Sequence, residues 1–120
     1  MEFKNNKPIF LQIAEQVCNE ILEGRYPEGE RMPSVREYAA EVEVNANTVV
    51  RSYDWLGQRD IIASRRGMGY YVCTGATERI RQSLREAFFG ETLPELVAQM
   101  RKLGIRPEEV TAALQAPDTP

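Results

Sequence analysis

Three groups of residues in this chain carry polar side chains at spacings suited to holding a polyanion. Asn45, Asn47, Thr48 and Arg51 fall at the start of one helical pattern, and Arg65-Arg66-Gly67-Met68-Gly69 makes a tight basic turn. Ser34 and Arg36 open another helical stretch. An amide can pair with an adenine edge, a hydroxyl can meet a phosphate or a thymine methyl, and arginine reaches guanine or phosphate. Paired arginines at a loop tip repel each other until an anion relieves them, and the glycines allow positive φ and close backbone approach. Near Ser34, Arg36 and main-chain N–H groups can hold a phosphate at the positive end of a helix. Each group also has a plainer reading. Ser34 serves as a helix cap, Asn47 and Thr48 as first-turn polar residues, Arg36 and Arg51 as solvated charges, and the basic turn as an ordinary hairpin. The combination points to DNA.

Catalytic and metal chemistry are disfavoured. The chain has no histidine, which removes the commonest general base and metal ligand at neutral pH. Cys18 and Cys73 lie in apolar contexts and read as buried reduced thiols. The carboxylate pairs Glu41/Glu43 and Glu108/Glu109 have no catalytic partner nearby and suit solvated faces. Tyr53, Trp55, Tyr70 and Tyr71 read as packing. The expectation is a non-enzyme without cofactor or metal. No apolar run reaches the length of a membrane span, and Met1–Asn6 lacks a signal-peptide pattern, which together suggest a cytosolic protein.

Charge tempers the nucleic-acid reading. The net charge is −3, and residues 1–75 hold nine Lys/Arg against eleven Asp/Glu. From Asn45 to Val72, however, Arg51, Arg59, Arg65 and Arg66 face only Asp54 and Asp60. A positive field, if used, is local, and binding away from the target is expected to be weak and salt-dependent.

The elements that must position these groups are legible. Pro8 suits a helix start, and Phe10, Ile13, Val17 and Ile21 recur at helical spacing to Gly24. Tyr26-Pro27-Glu28-Gly29 is a turn. Ser34 with Glu37 forms a capping box for a second helix with the stripe Val35, Tyr38, Ala39 and Val42. Asn45 caps a third helix after a short connection, with Val49, Ser52, Tyr53 and Leu56 inward and Asn47, Thr48 and Arg51 outward. Residues 61–64 and 70–73 then predict a β-hairpin around the basic turn. Beyond Gly75 a helix with Ile80, Leu84, Ala87 and Phe88 is expected to stop at Gly90. Thr92 and Glu95 read as a new capping box for a helix to Gly104, and Pro107 opens a last one.

The strings Gly-x-Arg-x-Pro-Ser-Val-Arg-Glu, Asn-x-Asn-Thr-Val-x-Arg-x-Tyr and Arg-Gly-x-Gly-x-x-Val resemble the N-terminal domain of the GntR family of bacterial transcription regulators, within it the small YtrA-like subfamily. The resemblance covers about residues 8–73. It implies DNA contacts from Ser34, Arg36, Asn45, Asn47, Thr48, Arg51, Arg66 and Gly67, and Arg65 joins them by its place in the turn. Two positions depart from the family pattern. Ala46 stands where many relatives carry arginine or proline, so a base contact of some members is missing. Gln58-Arg59-Asp60 replaces a glycine-ended turn and leaves Asp60 to take the bend.

The expected fold is mainly α with a small β-hairpin: a winged helix-turn-helix domain over 1–75, a short helical dimerisation segment over 76–115, and a disordered tail over 116–120. Two isolated amphipathic helices cannot bury their stripes alone, so a second copy is the expected partner, with folding back on the winged domain as the other arrangement. The function implied is a homodimeric regulator, most simply a repressor, on a palindromic double-stranded DNA operator. The subfamily resemblance suggests control of its own operon, often transporter genes. The competing reading is a winged-helix protein-interaction module that binds no DNA. A small-molecule effector, if there is one, would occupy a cavity between winged domain and tail, and no residue names it.

Overall fold

A computed structural model describes residues 6–117. The chain divides into two compact units, one up to Gln82 and one from Ser83. In the first, α1 (Ile9–Leu22), α2 (Val35–Val42) and α3 (Ala46–Gln58) pack around one core and are followed by β1 (Ile62–Arg65) and β2 (Gly69–Val72). The core holds Ile13, Val17 and Ile21 from α1, Tyr38 from α2, Val49, Tyr53 and Leu56 from α3, and Ile62 and Val72 from the hairpin. Each such aliphatic side chain contributes roughly 1.5–3 kcal/mol by leaving water.

Local chemistry sets the helix starts. The Ser34 Oγ accepts the Glu37 N–H at 3.1 Å while the Glu37 carboxylate accepts the Ser34 N–H at 2.9 Å, a complete capping box. The Asn45 side chain accepts the Asn47 N–H at 2.8 Å and starts α3. Between them Glu43 ends α2 in the left-handed conformation, which makes the inter-helix turn short.

The β-hairpin is antiparallel, with Ile62 opposite Val72 and Arg65 opposite Gly69. The segment before α2 adds to its free edge: Met32 N–H donates to the Tyr70 carbonyl at 2.8 Å and Val72 N–H to the Glu30 carbonyl at 3.0 Å. Arg31 thereby pairs with Tyr71. Asp60 takes the bend before β1 at φ 58, as the missing glycine requires.

Polar groups inside this unit are partnered. Buried Glu20 accepts the Tyr38 hydroxyl at 2.5 Å and pairs with Arg25, which also pairs with Glu41. Tyr53 donates to the Pro33 carbonyl at 2.9 Å and meets the Tyr70 ring edge-on at 4.9 Å, joining α3 to the segment before α2 and to the hairpin. Cys18 is buried and Cys73 half-buried, both as free thiols. Burial pushes the Cys18 thiol up to about 11, so it stays protonated and inert. Cys73 is more open than its apolar neighbours suggest.

Three details differ from expectation. The winged core does not close at Gly75, because Ala76 and Ile80 of α4 (Ala76–Ala87) are fully buried in it. No stop occurs at Gly90: α4 runs into a π-helical turn (Phe88–Thr92) and on into α5 (Leu93–Leu103). Thr92 therefore has helical φ −65 and ψ −47, and its side chain makes no cap. Gly104 does end α5, and α6 (Pro107–Gln115) follows. In the second unit no residue of α5 or α6 is buried. Of the expected tail at 116–120, Asp118–Pro120 lie outside the described residues.

Candidate nucleic-acid interface

Helix α3 offers one face to the core and the other to solvent. Val49, Ser52, Tyr53 and Leu56 are buried, whereas Asn45, Asn47 and Arg51 are exposed and Thr48 is partly so. Ser52 is fixed by donating to the Phe10 carbonyl at 2.6 Å, which clamps α3 against the start of α1. On the outer side the Arg51 guanidinium lies 4.3 Å from the centre of the Phe10 ring. A cation held over an aromatic face is pre-oriented without losing its donors. Ala46 is half-buried against the core, so the first helical position supplies packing in place of a reading side chain.

At α2, the capping box uses the Ser34 and Glu37 N–H groups on each other's side chains. An anion there is left the Ser34 hydroxyl proton and the exposed Arg36 side chain. The two Ser34–Glu37 bonds hold the Glu37 carboxyl below its ordinary value, with Arg31 adding a smaller pull the same way.

In the hairpin turn, Gly67 has φ 73 and Gly69 has φ 91, and the Met68 N–H donates to the Arg65 carbonyl at 2.9 Å. Side chains would be strained at both glycines. The Arg65 guanidinium stacks 3.9 Å over the Tyr71 ring, while Arg66 is exposed beside it at the tip. The two arginines are thus held differently, one laid on the sheet and one projecting.

Arg31 belongs with them and was not singled out. A Cβ added to Gly69 would lie 3.2 Å from the Arg31 Nε, so this guanidinium crosses the hairpin at the glycine. Its signal was the arginine of the Gly29-x-Arg31 string, whose place beside the turn depends on pairing across 40 residues with Tyr71.

The arrangement is a three-helix unit with a polar outer helix and a basic hairpin. The family model for bacterial regulatory proteins of the gntR family matches residues 10–72, more than half of the chain. The chain belongs to the GntR family. It is 34% identical over 114 residues to an uncharacterised helix-turn-helix regulator, YhcF of Bacillus subtilis, spanning 95% of this chain and 93% of that one. It is 30% identical over 107 residues to the B. subtilis transcriptional repressor YtrA, spanning 89% and 82%. Among solved structures, a GntR-family regulator from Bacteroides thetaiotaomicron superposes with a TM-score of 0.76 at 43% identity, covering 88% of this chain and 92% of that one.

As a GntR-family protein the chain is a DNA-binding transcription regulator with a winged helix-turn-helix domain and a helical C-terminal segment, and not an enzyme. Its similarity to YtrA over most of both chains fits the YtrA-like branch. No described helix is long and apolar enough to cross a membrane.

Proposed function

We propose that this GntR-type regulator acts in the cytoplasm as a homodimeric repressor on a palindromic operator. The observation that carries the reading is the exposed row Asn45, Asn47 and Arg51 on α3, on a unit whose hairpin ends in Arg65-Arg66-Gly67. Helix α3 lies in the major groove, where Asn47 and Arg51 read base edges and Thr48 meets a phosphate or a thymine methyl. Asn45, whose oxygen is used as the cap, offers its amide protons to the backbone. Ser34 and Arg36 hold a phosphate beside α2. The hairpin is the wing: Arg66 and the Gly67 main chain enter the minor groove, with Arg65 at its rim.

The dimer is formed by the tail. Phe88, Phe89, Leu96, Leu103 and Leu114 remain exposed, more apolar surface than a short helical unit leaves to water without a partner. A second copy covers it and gives the two-fold symmetry that a palindrome mirrors. The repressor role follows the similar protein YtrA, which carries that name. With four arginines per protomer on phosphates, log K falls against log salt with a slope of about −7.

Footprinting on genomic fragments tests this reading. Protection of two inverted half-sites supports it. Failure to protect any fragment, with the protein instead binding a protein partner, would replace it with an interaction module.

A further inference from the structure

The first turns of α4 are gripped from two sides by residues of the winged unit. The Glu28 carboxylate, in the turn after α1, accepts the Gly75 N–H at 2.8 Å and the Thr77 N–H at 3.0 Å. One side chain thus caps α4 and ties it to a segment 47 residues away. Those backbone donors, Gly75 first, hold the Glu28 carboxyl below its ordinary value.

Arg79 grips from the helix itself. Its Nη1 donates to the Asp60 carbonyl at 2.9 Å and the Thr74 carbonyl at 3.0 Å, linking α4 to the bend before the hairpin. The guanidinium also packs over Gly75, where an added Cβ would approach it to 3.4 Å and φ is +87. Beneath both grips, Ala76 and Ile80 are buried. A helix N-terminus needs one local acceptor; this one is fastened to two distant parts of the unit that carries α3 and the hairpin.

We propose that Glu28 and Arg79 determine which half-site separation the regulator accepts, by fixing the path along which α4 leaves the winged unit. The inference rests on the operator-binding dimer described above. Where two heads are joined through their tails, the separation of the two α3 helices is only as well defined as the exit of each α4. A loosened exit lets each head swing, so more spacings become reachable while the preferred one loses the benefit of pre-organisation.

The test uses the full chain and a DNA panel carrying two copies of the footprinted half-site at spacings that step by one base pair, with a single half-site alongside. The wild type is expected to bind its preferred spacing about tenfold tighter than sites one or two base pairs off. The Glu28→Gln/Arg79→Met variant is expected to flatten that preference to within about threefold, with single half-site affinity unchanged. Arg79→Lys, which keeps the charge without the fork, falls between the two and carries the test alone if the double variant does not fold. A variant with the wild-type spacing profile overturns the inference. So does loss of single half-site binding, which would make the grip a support of the reading head itself. A wild type that binds a single half-site as tightly as paired ones overturns the dimer reading and the spacing inference with it.

Discussion

The Arg51 guanidinium rests 4.3 Å from the centre of the Phe10 ring, so the outward arginine of α3 is positioned by a residue of α1. The neighbouring Ser52 bonds to the Phe10 carbonyl at 2.6 Å and keeps the two helices in register. Phe10 therefore shapes the DNA-facing surface without belonging to it.

Phe10→Leu keeps apolar volume and the main-chain bond but removes the ring. A cation–π contact at such a site is worth about 0.5–1 kcal/mol. Operator affinity is expected to fall about two- to fivefold by fluorescence anisotropy. The urea midpoint should stay close to wild type. Unchanged affinity would show that Arg51 needs no such support.

Acid should weaken the winged unit through Glu28 and Glu37. Both carboxyls are held below the ordinary value of 4.5 by backbone N–H groups, of Gly75 and of Ser34 respectively. A carboxyl whose folded pKa is depressed contributes stability above its unfolded value and loses it as pH falls through the folded one. The urea midpoint is expected to drop below about pH 4.5, and to drop less in Glu28→Gln/Glu37→Gln. An identical acid profile for that variant would contradict the assignment.

Truncation separates the two units. A chain ending at Gln82 keeps Ala76 and Ile80 in the winged core and is expected to sediment as a folded monomer. A chain ending at Gly75 loses both, at a cost of about 2–4 kcal/mol, read as a lower urea midpoint. A dimer persisting without residues 83–120 would exclude the tail as the joining element.

What could be read locally was read well. Ser34 with Glu37, Asn45 before α3, Asp60 at the bend and Gly104 after α5 each act through their own neighbours in sequence. The errors came where a local signal was outweighed. Gly90 and Thr92 look like a stop and a start, but a glycine inside a helix costs only about 1 kcal/mol, and a π turn carries the backbone through both. Ile80 looked like the start of the tail stripe because its partners lie in the winged core, far back in the chain. Arg31 beside Gly69 and Glu28 beneath Gly75 depend on tertiary pairing and leave no periodic trace.

The placement of DNA recognition on α3 and the wing is tested most directly by a gel shift on the DNA upstream of the protein's own gene, comparing wild type with Arg51→Ala/Arg66→Ala. Both side chains are exposed, so the variant should melt like the wild type. Two lost contacts of about 1–3 kcal/mol each predict a specific complex weakened by two orders of magnitude or so. A specific complex that survives the double substitution intact would contradict it.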